Sequence, residues 1–170
     1  LILNMNKFTT LSIKDEMINK YLIFKNLFIN RKYSSKKTII KKIDHYQWWL
    51  QKQKKRKSFF ILKNEKKLFI STADEFKVGR TRLLYLGLIS CTDEVDLFDF
   101  LKAVKAQGES LHELKNSFCF ISIDPQNRAI ASHWKYFKYL KLERKNKLFN
   151  MIKKCVVINS KFNIYYKKII

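Results

Sequence analysis

The chain has 170 residues, of which 46% are hydrophobic, and this length suits a single globular domain with a sizeable core. Its 36 Lys and Arg residues against 14 Asp and Glu give a formal net charge of +22, which would raise the local concentration of any polyanion. No stretch is long and charge-free enough to cross a membrane, which excludes an integral membrane protein and predicts a soluble one.

The composition offers a second explanation for this charge. Lys, Asn, Ile, Phe and Tyr are abundant while the chain has three Gly and one Pro, a pattern expected when codons are forced toward A and T. The densest basic run, residues 52–57, is either a solvated connector or a contact for phosphates. No zinc spacing, helix-turn-helix pattern or RNA-binding strand motif accompanies it, so a nucleic-acid partner is not favoured.

The cysteines indicate the compartment. Cys91, Cys119 and Cys155 cannot all pair, and two of them lie in apolar strand patterns. This favours buried, reduced thiols in a cytoplasmic protein. Nothing resembles a secretory signal, and Met5 is the expected start.

Two helices are predicted at the beginning of the chain. Ser12 can cap the first, over residues 12–30, because apolar residues recur there near the 3.6-residue period. The second covers about residues 39–50.

Strands follow these helices. Residues 58–63 and 68–72 are aliphatic and flank a polar turn at 64–67, which predicts a hairpin. A turn at residues 77–80 then places the next strand, residues 83–91, antiparallel to the second hairpin strand. That strand is apolar almost throughout, which is typical of a central strand covered on both faces.

A helix, a strand and a second helix come next. Asp93 can cap the first helix with Asp96 three positions later, and Gly108 ends it. The strand covers residues 118–123 and stops before the only proline. Helices between strands imply a sheet that is at least partly parallel. The second helix has an apolar face made of Ile130, Trp134, Phe137 and Leu140.

The end of the chain carries weaker signals. Residues 147–152 and 155–158 are predicted as strands, followed by a tail. The predicted fold class is α/β, with a single mixed sheet and helices on both faces. One domain is predicted over residues 1–170, with its core at about 12–158.

The best site candidate is the corner at residues 124–128, where a strand enters a helix through a polar turn. The first N–H groups of a helix have no partner within it, so they point outward at such a corner. This is a common place for phosphates and reactive groups in α/β proteins.

The order of elements resembles the Gcn5-related N-acetyltransferase (GNAT) superfamily. Residues 44–50 and the strand at 58–64 are similar to the H-x-x-W helix and following strand of its sugar-modifying members. Residues 122–130 and 137–142 resemble the segment written N-x-x-A…Y-x-x-x-G-F. The resemblance covers about residues 12–158 and identifies the chain as similar to amino-sugar N-acetyltransferases.

The resemblance implies acyl transfer from acetyl-CoA, or another acyl-CoA, to a small amine, with amino sugars and nucleotide-linked amino sugars as the implied acceptors. The coenzyme would lie in a split of the sheet beside Gly87, with the Asn127 corner as its far wall. The residues implied to bind it are Gly87, Leu88, Ile89, Asn127 and Arg128.

The resemblance also implies catalytic and acceptor residues. Members often carry a helix tyrosine that protonates the departing thiolate, and Tyr136 and Tyr139 lie near the matching place; a packing role is the alternative for either. His45, Trp48 and Trp49 are implied acceptor contacts, with packing again the alternative.

The sequence departs from the family where the coenzyme diphosphate is normally held. Members have a glycine motif, R/Q-x-x-G-x-G/A, whereas residues 90–94 contain no glycine and include Asp93 and Glu94. Each carboxylate would cost on the order of 1 kcal/mol beside a diphosphate. A second alignment places the motif at residues 126–131 instead.

Other uses of the acidic residues and of the fold stay open. The acidic cluster of residues 93–99 is predicted to favour a helix start rather than to bind a metal. Two alternative functions remain: a non-catalytic protein with the same fold, and a basic protein associated with RNA or the ribosome.

Overall fold

The computed structural model describes residues 8–52, 56–111 and 113–169. The expected start at Met5 and the centre of the basic run, residues 53–55, lie outside the described residues. The described strands are β1 (Phe8–Ser12), β2 (Arg56–Lys63), β3 (Lys66–Val78), β4 (Thr81–Ser90), β5 (Ser117–Ile123), β6 (Leu140–Lys141) and β7 (Asn163–Lys168). The described α-helices are α1 (Ile18–Lys25), α2 (Phe28–Lys32), α3 (Lys42–Lys52), α4 (Leu97–Ser110), α5 (Arg128–His133) and α6 (Lys147–Cys155).

The strands form one mixed sheet in the order β1-β2-β3-β4-β5-β7-β6. The first four strands pair antiparallel with one another, and β5 joins β4 in parallel. β7 pairs antiparallel with both β5 and β6. The mixed sheet and the central place of β4 confirm the sequence prediction.

The predicted hairpin between β2 and β3 is also confirmed. Its turn residues Asn64 and Glu65 have φ values of 48° and 65°. Two consecutive left-handed residues are typical of a type I′ turn, whose twist matches that of the paired strands.

Helices cover both faces of the sheet, as predicted. On one face, Leu84, Leu86 and Ile121 pack beneath Phe100 and Val104 of α4. Side chains alternate between the two faces along each strand, so the intervening residues point to the opposite face. That face carries two separate apolar clusters. One cluster lies under α1 and α3 and contains Tyr21, Trp49, Phe60 and Ile70. The other lies under α6 and contains Leu83, Phe120, Ile152 and Ile164.

The N-terminal helix prediction was wrong in its bounds. Ser12 is the last residue of β1, and a 3-10 helix at Asp15–Met17 precedes α1. The predicted helix is then interrupted, because Leu27 adopts an extended backbone with ψ 143° between α1 and α2. Strand pairing with β2 outweighs the capping tendency of Ser12.

The two weak strands predicted near the C-terminus were wrong. Residues 147–155 form helix α6, which Asn146 caps by accepting the Leu148 N–H. Leu148, Met151 and Ile152 recur at helical spacing and pack against the sheet. The segment predicted as a tail contains β7, so the sheet extends beyond the expected core of residues 12–158.

Both central helices differ from their predicted ends. The cap of α4 is Asp96 rather than Asp93, and the helix continues past Gly108 to Ser110. The helix after β5 is shorter than predicted, because it ends at His133 and the chain turns at Lys138, where φ is 62°. Apolar spacing alone cannot locate these ends, since apolar residues continue past both helices: Leu111 follows α4 and Trp134 follows α5.

Candidate functional site

β4 and β5 separate partway along the sheet. Their parallel ladder runs from Arg82 and Ser117 to Tyr85 and Phe120, where it ends. β4 nevertheless continues for five residues, paired with β3, and β5 continues for three, paired with β7. The inner edges of the two strands therefore diverge beside Gly87, and we call this opening the β4–β5 split.

Hydrogen bonds at the end of β4 show which backbone groups face the split. The N–H of Cys91, the residue after β4, donates to Leu68 O of β3. The N–H and C=O of Ser90 both bond the Asn30 amide instead, at 2.9 and 2.8 Å, so they face away from β3. Because backbone groups alternate along a strand, those of Leu88 also face the split.

Gly87 lies where β4 approaches a side chain of β3. A methyl group at this position would lie 2.6 Å from the Thr72 hydroxyl oxygen, which is closer than atoms pack. On the other side of the sheet, the Gln107 amide of α4 donates to Gly87 O and to the Ser71 hydroxyl. Gly87 is thus held from both faces, and tight packing explains the glycine.

The far wall of the split is the corner after β5. The Asp124 carboxylate accepts the Gln126 N–H, and Asp124 O accepts the Asn127 N–H, so the turn is tightly closed. Asn127 is half-buried and Arg128, the first residue of α5, is exposed. The corner therefore presents one amide side chain and one cation next to the split.

The two predicted catalytic tyrosines lie in different environments. Tyr136 is 77% exposed, whereas Tyr139 is buried, 5.0 Å from the Trp134 ring. Burial, with a smaller effect of Cys119, raises the pKa of Tyr139 above its usual range. Tyr139 belongs to the cluster beneath α4 and lies near Cys119 of β5, which pairs with Leu84 in the β4–β5 ladder.

The start of α4 is acidic, as the sequence indicated. Asp96 accepts the Asp99 N–H at 2.9 Å, and Asp99 pairs with Lys63 at 2.7 Å. Asp93 and Glu94 precede this cap and are exposed. The helix start therefore carries four carboxylates, one of them neutralised by an ion pair, and offers an anion an unfavourable field.

A row of side chains crosses the other face of the sheet at the base of the split. Arg56, Asp74, Tyr85 and Phe120 stand opposite one another on four neighbouring strands. The Arg56 guanidinium donates two hydrogen bonds to the Asp74 carboxylate, and the pair is largely buried. The Tyr85 and Phe120 rings stack at 5.0 Å, and burial raises the pKa of Tyr85.

On this face Arg56 and Asp74 lie between the two apolar clusters, and Phe120 belongs to the cluster under α6. The positions beside the row, Thr72 on β3 and Ser122 on β5, are also polar. The polar side chains at the base of the split, which are those of Arg56, Thr72, Asp74, Tyr85 and Ser122, are called the polar strip. A polar strip beside apolar clusters is suited to hold a small polar molecule.

The residues of α3 that were predicted to contact the acceptor are more buried than residues of a binding surface would be. His45 is 1% exposed and stacks on Trp48 at 5.1 Å. Burial, and then the nearby Lys25, lower the pKa of His45 to about 4, so it is neutral at pH 7. Trp49 is buried and its indole N–H donates to the Asp15 carboxylate at 2.8 Å. These residues build the wall behind the polar strip.

The sequence did not single out Lys25, Arg56 or Asp74. Strand β3 was predicted to end at Thr72, so Asp74 fell outside it, and Arg56 was one of many cations in the basic run. The signal available in the sequence was Asp74, a carboxylate inside the long strand that pairs with the central strand β4.

A groove of about 530 Å³ lies at the β1–β2 edge, where β1 ends. Trp49, Arg56 and Ser58 are among its lining residues, so the groove reaches the Arg56 end of the row across the sheet. It lies two strands away from β4, and of the predicted site residues it contains Trp49.

Comparisons with known proteins agree with this geometry. No protein-family model matches the chain, and no curated protein matches it by sequence. Among solved structures, RimL, a ribosomal L7/L12 alpha-N-protein acetyltransferase in complex with coenzyme A, superposes with a TM-score of 0.67 at 9% identity, over 95% of this chain and 94% of that one.

Two further structures have the same architecture. An acetyltransferase of the GNAT family from Streptococcus pneumoniae gives a TM-score of 0.58 at 9% identity, over 94% of this chain and 96% of its own. The yncA protein from Salmonella typhimurium, with its cofactor acetyl-CoA, gives 0.67 at 7% identity, over 96% and 95%. The chain therefore has the α/β fold of the GNAT acetyltransferases, with a single seven-stranded sheet in its described residues.

Because of the close contact at Gly87, substitutions at two glycines are expected to change the free energy of unfolding in opposite directions. Gly87→Ala is expected to lower the free energy of unfolding by about 1–3 kcal/mol, because the methyl group overlaps the Thr72 hydroxyl. Gly108→Ala, inside α4 with nothing within 4 Å of the new methyl group, is expected to raise it by about 0.5–1 kcal/mol. Urea denaturation of both variants measures these changes.

The double variant Gly87→Ala with Thr72→Ala is the control for this contact. Removing the hydroxyl should recover part of the loss, so the double loss is smaller than the sum of the two single losses. Additive losses would mean that another contact restrains Gly87.

Proposed function

We propose that this protein is an acyl-CoA-dependent N-acyltransferase that acts on a small amine. The β4–β5 split carries the proposal, since it leaves backbone hydrogen-bonding groups of a central strand without a strand partner. The shared fold supports it, because two of the similar structures contain coenzyme A or acetyl-CoA.

The free edge of β4 fits the amide-bearing arm of an acyl-CoA. Leu88 offers one N–H and one C=O to the split, and an extended chain with amides can pair with them as an added strand would. Acyl-CoA would supply the acyl group as an activated thioester. The N–H of Leu88 would orient and polarise a carbonyl held beside it, and Gly87 and Ile89 would flank that contact.

The diphosphate end fits less well. The start of α4 lacks glycine and carries carboxylates, so its amides are poorly suited to a diphosphate. We assign the phosphate contacts instead to the corner across the split, where Asn127 offers an amide and Arg128 an exposed cation.

The acceptor amine is proposed to lie on the polar strip beside Tyr85, within reach of the split. Trp48 already has His45 stacked on its ring and two cations next to it, so it supports the site rather than stacking on a sugar. An amino sugar, including a nucleotide-linked one, stays within the proposed acceptor class.

The role of the Leu88 N–H is tested with a proline. Leu88→Pro removes that N–H without breaking a bond to β3, whereas Leu88→Ala keeps it and loses similar packing. We expect Leu88→Pro to weaken acetyl-CoA binding at least tenfold and Leu88→Ala to change it less than threefold. Isothermal titration measures binding, and release of the coenzyme thiol on adding amines measures turnover.

Circular dichroism and melting temperature establish that both Leu88 variants are folded. Equal affinities in the two variants would show that the β4 edge does not hold the coenzyme. Absence of any binding and any turnover in the unmodified protein would overturn the proposed function and favour a non-catalytic role.

Carboxylates near α4 are expected to oppose the coenzyme diphosphate. The double variant Asp93→Asn with Glu94→Gln should bind acetyl-CoA more tightly, by about fivefold for each charge removed, which is on the order of 1 kcal/mol per charge. Glu143→Gln, on a 72% exposed side chain in the β6–α6 turn, is the matched control and should leave affinity unchanged. Isothermal titration at low salt gives the comparison.

An unchanged affinity in the Asp93 and Glu94 variant would show that the field of these carboxylates does not reach a diphosphate held at the corner across the split, and it would contradict this prediction. An equal gain from Glu143→Gln would attribute the effect to the overall charge of the protein.

Of the two tyrosines, Tyr139 is proposed as the acid that protonates the departing thiolate, because it lies near Cys119 of β5, the strand across the split from β4. Tyr139→Phe should lower kcat at least tenfold while the KM for acyl-CoA changes less than twofold. Tyr136→Phe, at an exposed position, should retain kcat within twofold. Steady-state kinetics decides, and equal kcat values in both variants would reject this role for Tyr139.

A further inference from the structure

Two cations lie against one tryptophan ring on the acceptor side of the sheet. Lys25 is the last residue of α1, and its Nζ lies 3.9 Å from the centre of the Trp48 ring. The Arg56 guanidinium carbon, from the start of β2, lies 3.9 Å from the same point. The two charged groups are therefore no more than about 8 Å apart, the sum of those distances.

Their charges are only partly balanced. Asp74 is bonded to the Nε and Nη2 atoms of Arg56, and it is the carboxylate that acts on Lys25 as well. One carboxylate thus faces two cations, and one positive charge is left over. Burial, with a smaller effect of Arg56, lowers the pKa of Lys25 to about 8, as expected for a cation with too little compensation.

Arg56 also has unused hydrogen-bonding capacity. Its side chain is 8% exposed, and its Nη1 atom is buried with no hydrogen-bond partner among the described residues. A guanidinium has five N–H donors, and a buried donor without a partner is costly. Carboxylate and phosphate oxygens are the groups that best satisfy an arginine edge.

The location connects these cations to the proposed acceptor site. Arg56 stands opposite Asp74, which stands opposite Tyr85 at the end of the β4–β5 ladder. Residues directly opposite each other in a sheet share a face, and neighbouring strands are about 4.8 Å apart. Arg56 is therefore about 10 Å from the base of the split, which is the span of a small molecule.

We propose that Lys25 and Arg56 form an anion site that binds an acidic group of the acceptor, so that the substrates are amines that also carry a carboxylate or a phosphate. This inference rests on the proposed acyl transfer for its reaction and on the two cations for its specificity. An amine without an acidic group would leave the two positive charges only partly balanced, whereas an amine with a carboxylate or a phosphate would balance them.

A pH titration of Lys25 tests the anion site and does not require the protein to catalyse acyl transfer. Lysine-labelled protein is followed by NMR as a function of pH, with Lys25→Arg used to assign the Lys25 signal. Adding inorganic phosphate, or acetate as the carboxylate probe, is expected to raise the pKa of Lys25 from about 8 by at least one unit. A pKa that is unchanged at saturating concentrations of both anions would overturn the site.

Two matched pairs of acceptors distinguish the source of the acidic group: a hexosamine with its 6-phosphate, and an α-amino acid with its amide. We expect the acidic member of at least one pair to have a kcat/KM at least tenfold higher. Lys25→Met should remove this preference by raising the KM of the acidic acceptor, with kcat within twofold. Lys154→Met, exposed on α6, is the control that should keep it.

The melting temperature distinguishes a role of Lys25 in binding the acceptor from a role in stabilising the fold. Because Lys25 is repelled by Arg56, Lys25→Met should leave the melting temperature unchanged or raise it while the acceptor preference is lost. A preference for the neutral member of both pairs, or one that Lys25→Met leaves intact, would overturn the inference. If no amine is turned over but phosphate still raises the pKa of Lys25, the acyl-transfer proposal fails and the anion site stands.

Discussion

The parallel ladder between β4 and β5 ends after four residue pairs, although both strands continue. β3 holds β4 as far as Ser90, and β7 holds β5 as far as Ile123. Neither strand can bend back toward the other without losing hydrogen bonds on its outer side. The separation is therefore fixed by the outer pairings, and it leaves polar backbone groups exposed in the middle of a sheet.

The rest of the site is arranged around that opening. The Asn30 amide forms hydrogen bonds with the backbone N–H and C=O of Ser90 at the end of β4, so the unpaired edge of β4 is centred on Leu88. One face beside it is apolar and covered by α4, and the other has a polar strip with buried charges. Uncompensated charge in a folded protein costs stability, and a role in binding substrate about 10 Å from the base of the split would justify that cost.

The sequence predicted the parts of the fold that depend on local patterns. The apolar run of β4 indicated its central place, and the polar turn between β2 and β3 indicated the hairpin. Amphipathic α6 was taken for strands, because a short apolar run does not distinguish the two structures. β7 was missed because its place between β5 and β6 depends on long-range pairing.

The site was predictable only in part. The corner at residues 124–128 was predicted from its polar turn between a strand and a helix, and the role of the strand at Gly87 from a family resemblance. The ion pair of Arg56 and Asp74 was not, since it joins residues 18 positions apart through a strand register that no local pattern reveals. The length of the β4–β5 ladder is likewise a property of backbone pairing, which leaves no trace in side-chain identity.

Amide hydrogen exchange along β4, followed by NMR, tests the separation of the two strands most directly. The account predicts that the Leu84, Gly87 and Ile89 amides are strongly protected, because they bond to β5 or β3, while the Leu88 amide between them exchanges rapidly. Protection of Leu88 equal to that of its neighbours would mean that β4 and β5 pair along their whole length, and it would contradict the account.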